Sequence, residues 1–345
     1  MSKITIFPRY KKDEDNHTNS FMFLLQNFYK FYQNEFYKFI LDTNDDNDIK
    51  EIASFYQQEK GTGSRPDGEF RQKAIHVIVE TKNTNWFYDS QIESHMTKFD
   101  KNEEKIFITL VSSYSKGTIE KITKEIEKIN EKEKVDIKYL PLTFDGALKK
   151  IRELIEYKPI KNLFFDEILE DFEDYIADER LHEKNTIWLK TFPSRETFDE
   201  DFESGIIYRD GKRTCDSIDY IGGYKNKAVC SIGKLIDVVY REVDDSKMVR
   251  YTHVFNDVDK REIIEMNIEK AIRFSKYGKE TFDNTTHTFY ITAGFEKCNF
   301  VKSTKRGAQN ARWFNLNDVL GMNKEEIETK SIKDIADLIS EKEWG

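Results

Sequence analysis

The chain has 345 residues, 38% of them hydrophobic and 14% aromatic, enough apolar mass for one or two packed cores and too much for a disordered polymer. Its net charge of −9 excludes a chain that coats nucleic acid through its overall field, although an acidic remainder is compatible with a local basic groove or an acidic metal site. Three widely spaced cysteines (Cys215, Cys230 and Cys298) without a CxxC argue against a disulfide framework or zinc ribbon. Together with the lack of a signal-like start or a spanning apolar run, they predict a cytoplasmic protein with no membrane partner.

In chain order, residues 18–42 carry Phe21, Leu24, Leu25, Phe28, Phe31 and Tyr32 at helical spacing behind Thr18 or Asn19 as caps. The acidic run 42–48 is a solvated break, and the weak rhythm that follows fits strand or helix. Residues 69–82 give the best strand signal, with Ile75, Val77 and Val79 alternating behind a Pro-Asp-Gly turn. A short polar helix is expected over 88–99, and a buried strand over 105–113. The stripe Ile119, Ile122, Ile126 and Ile129 predicts a helix over 116–134, before a strand at 135–142 and a helix at 143–156.

This order describes an α/β unit at residues 1–157, followed by an acidic helix at 158–184 read as a connector. Residues 185–345 change character. Short β-like runs separated by polar or glycine turns, with one helix near 259–277, predict a second, β-rich domain for recognition or sensing.

Glu80 and Lys82 are two apart on the predicted strand, so both point to one face. If the chain turns back on itself between 69–73 and 74–82, Asp67 approaches Glu80. Two converging carboxylates form a hard-oxygen site suited to Mg²⁺ or Mn²⁺, with Lys82 beside it to orient or deprotonate a water. Pro66-Asp67 followed by Glu80-Thr81-Lys82 resembles the PD-(D/E)XK nuclease superfamily, over about residues 10–155. The resemblance implies an αβββαβ, restriction-endonuclease-like core. It also implies Mg²⁺-dependent hydrolysis of DNA, with Asp67 and Glu80 as metal ligands and restriction or anti-phage defence as the use. A double-strand break needs two such sites, which makes a homodimer the expectation.

Two further residues enter through the same resemblance. Gln91 falls on the helix after the motif, where many members carry a polar residue facing the site. Glu14, in a stretch similar to the glutamate-containing opening of several bacterial members, takes the place of an additional acid. His95, one turn beyond Gln91, is expected to cover the helix rather than touch phosphate. His76 is expected to pack within the hairpin, while Glu69 reads as a second acid or a strand-edge charge.

In the second domain, residues 300–314 concentrate Lys302, Lys305, Arg306 and Arg312 with no acid among them, a candidate nucleic-acid or ligand contact. Trp313 and Phe314 are expected in the core. Residues 216–240 faintly resemble a strand pair of PUA-like barrels of the EVE type, which would make Tyr220, Tyr224 and Trp313 cage aromatics. Two alternatives stay open: a nuclease switched on by a nucleotide sensed in the second domain, and a nuclease-like fold that only binds.

Overall fold

The computed structural model describes residues 7, 14–43, 53–57, 66–82, 87, 89–99, 104–158, 162–213, 216–244, 247–255, 258–283, 285–305, 307–308 and 310–345. It is a mixed α/β protein with two sheets, of five and nine strands among the described residues, in two compact units that meet in sequence at Lys184 and Asn185.

The first unit opens with α1 (Glu14–Phe31) and α2 (Gln33–Leu41), so the single helix expected over 18–42 breaks at Tyr32. There follow β1 (Ser54–Gln57), β2 (Gly68–Gln72), β3 (Ile75–Lys82), α3 (Asp89–Met96), β4 (Glu104–Val111), α4 (Thr118–Glu133), β5 (Ile137–Thr143), α5 (Phe144–Glu156) and α6 (Leu163–Asp178). The strands lie in the order β1-β2-β3-β4-β5. The first three are antiparallel, and β3, β4 and β5 run parallel. The middle parallel strands β3 and β4 are buried on both faces because helices cover both faces. Val77, Val79, Ile106 and Ile108 join an aromatic-rich core with α1, α2, α5 and α6, while Ile78 and Phe107 pack with Ile92 and Met96 of α3 and Ile122, Ile126 and Ile129 of α4. Ile119, expected on that stripe, is instead exposed at the first turn of α4.

The expected connector at 158–184 is part of this core. Phe165, Ile168, Leu169, Phe172, Tyr175 and Ile176 of α6 are buried, with Phe28 stacked on Phe165. Beyond α6, Asp145 accepts from the Glu183 amide at 2.7 Å and pairs with His182. The acidic face of the helix gives the sequence its linker-like look, but its other face has the apolar spacing that burial requires.

In the second unit β6 (Trp188–Pro193), α7 (Phe198–Ser204), β7 (Ile206–Asp210), β8 (Tyr220–Lys225), β9 (Ala228–Val243) and β10 (Val249–His253) precede α8 (Arg261–Phe274). Then come β11 (His287–Thr292), β12 (Glu296–Lys302), β13 (Arg312–Asn315), α9 (Leu316–Leu320), α10 (Lys324–Glu328), α11 (Ile332–Ser340) and β14 (Glu343–Trp344). The 16-residue β9 is the spine. Its first half is flanked by β8 and β12, its second by β10 and β11. Among the described residues the outer strands are β7, β10, β13 and β14, with no pairing joining them to one another.

One close approach sets the geometry of the first unit. A Cβ on Gly68 would lie 2.7 Å from Met22 Cγ and 3.3 Å from Thr18 Cγ2, so any larger residue would have to displace the Met22 side chain with which α1 rests on β2 next to Asp67. Gly68→Ala is expected to destabilise this unit by about 1–3 kcal/mol, as overpacking does, measured by urea denaturation.

Candidate functional site

The antiparallel register pairs Gly68 with Val79, and one further step sets Asp67 opposite Glu80. Directly opposed residues on one face have Cβ atoms about 5 Å apart. Asp67 also ends the ladder, because its Oδ2 accepts the Thr81 amide at 2.9 Å. Strand parity then puts Asp67, Glu80 and Lys82 on the face covered by α3 and α4.

Glu80 is only 1% exposed. Its Oε1 accepts from Lys82 Nζ at 2.8 Å and from Gln91 Nε2. Its Oε2 lies 3.0 Å from His95 Nε2 but out of line for a hydrogen bond, and neither atom has a hydrogen-bond partner. Gln91 and His95 are four apart on α3, so one face of that helix presents both to the same carboxylate. Three nitrogen-bearing side chains thus surround a carboxylate taken out of water, and the hydrogen bonds involving the charged groups are the strong ones.

The structure brings together Asp67, Glu80, Lys82 and Gln91. His95, expected to cover the helix, faces Glu80 instead. The i, i+4 spacing from Gln91 was visible in the sequence, but the burial that turns the ring inward comes from packing. Glu14 opens α1, one turn before Thr18, and its side chain lies outside the described residues. Glu69 pairs with Arg71 at 3.0 Å, and His76 is buried edge-on to Phe99.

Beyond Glu80 on the same face, the register sets Thr109 of β4 beside it. The Thr109 hydroxyl meets Tyr114 Oη at 2.7 Å and Tyr139 Oη at 2.8 Å, and Tyr114 Oη accepts the Leu142 amide at 3.1 Å. Burial pushes both phenols up, Tyr139 to about 12, so they serve this end of the sheet as neutral hydrogen-bonding groups rather than bases. This cluster has no motif in the sequence, since its members lie 5 and 30 residues apart.

As to metal, Asp67 and Glu80 are the opposed oxygen donors, and the buried Glu80 Oε2, which lies beside His95 Nε2 but accepts no hydrogen bond, is an acceptor that a hard cation fits. Among the described residues no group of three or more His, Cys, Asp or Glu converges in a metal-holding arrangement. A two-carboxylate Mg²⁺ site would complete its shell with water.

The basic stretch of the second unit behaves differently from expectation. Lys302 shares strand parity with Phe300 on β12 and is buried, its Nζ bonded to Thr304 Oγ1 and 4.9 Å above the Trp344 ring. Arg312 is buried as well, on β13 opposite Thr191. Alternation along these strands turns both cations inward, which removes them from the expected phosphate cradle. Lys305 is exposed, and Arg306 lies outside the described residues. Phe314 packs against Phe300 and Trp344, and Trp313 is half-buried beneath Lys190. Tyr220 and Tyr224 belong to the core, with Tyr224 Oη accepting the Ala308 amide at 2.9 Å, so neither is a free cage wall.

No helix among the described residues is long and apolar enough to cross a membrane. Comparison with family models, characterised proteins and solved structures finds no match.

Tyr114→Phe is expected to cost about 1–3 kcal/mol by denaturant titration, because the buried Leu142 amide loses its acceptor. Lys302→Ala is expected to lower the melting temperature through lost packing on Trp344. Lys305→Ala should leave stability within about 0.5 kcal/mol of the parent by the same measurement.

Proposed function

We propose that the protein is a metal-dependent endonuclease that hydrolyses DNA phosphodiester bonds, with its active site at the end of the β2–β3 hairpin. The observation that carries the reading is that the strand register sets Asp67 opposite Glu80 at one end of the central strand, with Lys82 Nζ 2.8 Å from Glu80. The succession of two helices, three strands, a helix and a strand from α1 to β4 supports assignment to a PD-(D/E)XK, restriction-endonuclease-like core.

Asp67 and Glu80 are the residues that would hold Mg²⁺. When bound, the ion supplies positive charge that polarises the scissile phosphate and stabilises the leaving oxygen. Lys82 orients the attacking water or takes its proton. Gln91 holds the Glu80 carboxylate through Oε1, and His95 borders Oε2, so α3 fixes the direction in which the free lone pairs point. The β-rich second unit is the recognition module in this reading, acting through surfaces other than the buried Lys302 and Arg312. Restriction or anti-phage defence in the cytoplasm is the use that fits a nuclease joined to a reader.

The test is a nicking assay on supercoiled plasmid with Mg²⁺, with EDTA removing the activity. Asp67→Asn, Glu80→Gln and Lys82→Ala are each expected to slow cleavage at least about a hundredfold while circular dichroism stays that of the parent. Cleavage left unchanged by all three substitutions would sink the assignment. Metal-independent DNA binding without cleavage would favour a fold that only binds.

A further inference from the structure

Glu80 Oε2 and His95 Nε2 face each other 3.0 Å apart, yet neither atom makes a hydrogen bond. Glu80 is 1% exposed and His95 fully buried, so bulk water does not satisfy them. Elsewhere in the chain His182 meets Asp145 at 2.7 Å and His253 meets Asp237 at 2.6 Å in hydrogen-bonding geometry. His287 repeats the misaligned contact with Asp210 at 3.0 Å, but that carboxylate is 84% exposed and open to solvent. At Glu80 the misalignment is buried.

Two orphaned polar atoms side by side in the interior are costly unless one group satisfies both. Gln91 and Lys82 both meet Oε1, so they do not relieve Oε2. His95 Nδ1 has no partner either, so no neighbour holds the ring proton at Nε2. The lone pair of that nitrogen can therefore be presented towards Oε2. Two donors at right angles on a cation, each about 2.1 Å from it, stand about 3.0 Å apart, whereas tetrahedral donors at that bond length stand about 3.4 Å apart. The observed separation is that of neighbouring ligands in an octahedral shell.

We propose that His95 Nε2 is a metal ligand beside Glu80 Oε2, and that this nitrogen turns the hairpin site towards Mn²⁺ over Mg²⁺. The inference rests on the reading of that site as metal-dependent. Carboxylate and water ligands alone suit Mg²⁺, while an imidazole favours first-row transition ions. Gln91 and His95, four apart on α3, then divide the work: Gln91 holds the carboxylate through Oε1, and His95 meets the ion beyond Oε2. Among the described residues no third His, Cys, Asp or Glu donor converges with this pair. Water completes the shell, with the Asp67 carboxylate across the strand pair.

Pulsed electron paramagnetic resonance of Mn²⁺ bound to the full chain tests it. The parent is expected to show hyperfine coupling to an imidazole nitrogen, and His95→Gln to lose it. Calorimetric titration should show His95→Gln weakening Mn²⁺ binding at least about tenfold and Mg²⁺ binding less than about threefold, since a merely structural role would weaken both alike. Mn²⁺ bound to the parent without nitrogen coupling overturns the proposal, leaves the carboxylate site standing and requires no variant to fold. Coupling that survives in His95→Gln overturns it as well, as does an equal loss for the two ions. A parent that binds neither ion overturns it together with the metal-dependent reading.

Discussion

The first unit is organised around a carboxylate removed from water. Leaving Glu80 buried without partners would cost several kcal/mol, so the surrounding elements must bring donors to it. Lys82 comes from the same strand, two residues on, and Gln91 comes from α3, which also sets the His95 ring 3.0 Å from Oε2 without a hydrogen bond. The position of α3 over the end of β3 is therefore coupled to the charge beneath it. The apolar pair Ile92 and Met96 on that helix seals the rest of the contact.

The opposite face of the sheet supplies rigidity. The Met22 and Thr18 side chains of α1 can settle on the hairpin because Gly68 has no side chain, and α6 closes over α1 through Tyr175, which bonds His17 at 2.6 Å and Asn16 at 3.2 Å. Stacked and edge-on phenylalanines fill the space between these helices. The high aromatic content of the sequence, uninformative about chemistry, is here the filling of a core that holds Asp67 across from Glu80. Where function needs two acids side by side, the scaffold has to prevent their separation, and a closely packed helical layer does so.

Much of this was legible. Period-two alternation located β3 and identified the shared face of Glu80 and Lys82, a helical stripe located α4, and helices were expected where α5 and α8 lie. The miscounts have particular causes. Residues 163–178 look like an acidic linker because charge dominates their composition, although their apolar spacing belongs to a core helix. Lys302 and Arg312 look like surface cations because lysine and arginine seldom lie inside, but strand parity on β12 and β13 points them inward, where Trp344 and the Thr304 hydroxyl receive Lys302 and the Ala311 carbonyl accepts from Arg312. The same blindness applies to α8, where the exposed Ile263, Met266 and Phe274 are indistinguishable by type from the buried isoleucines.

By itself the sequence determined the local periodicities, and with them the elements, the hairpin and the parity of its charged residues, because those depend only on backbone geometry repeating every two or 3.6 residues. The tertiary structure alone decided which of the polar residues meet. His95 reaches Glu80 across fifteen residues of chain, Tyr114 and Tyr139 converge on Thr109, and Lys302 turns away from solvent onto Trp344. Such contacts come from packing one element against another, and packing depends on the whole set of side chains between them rather than on any spacing along the chain.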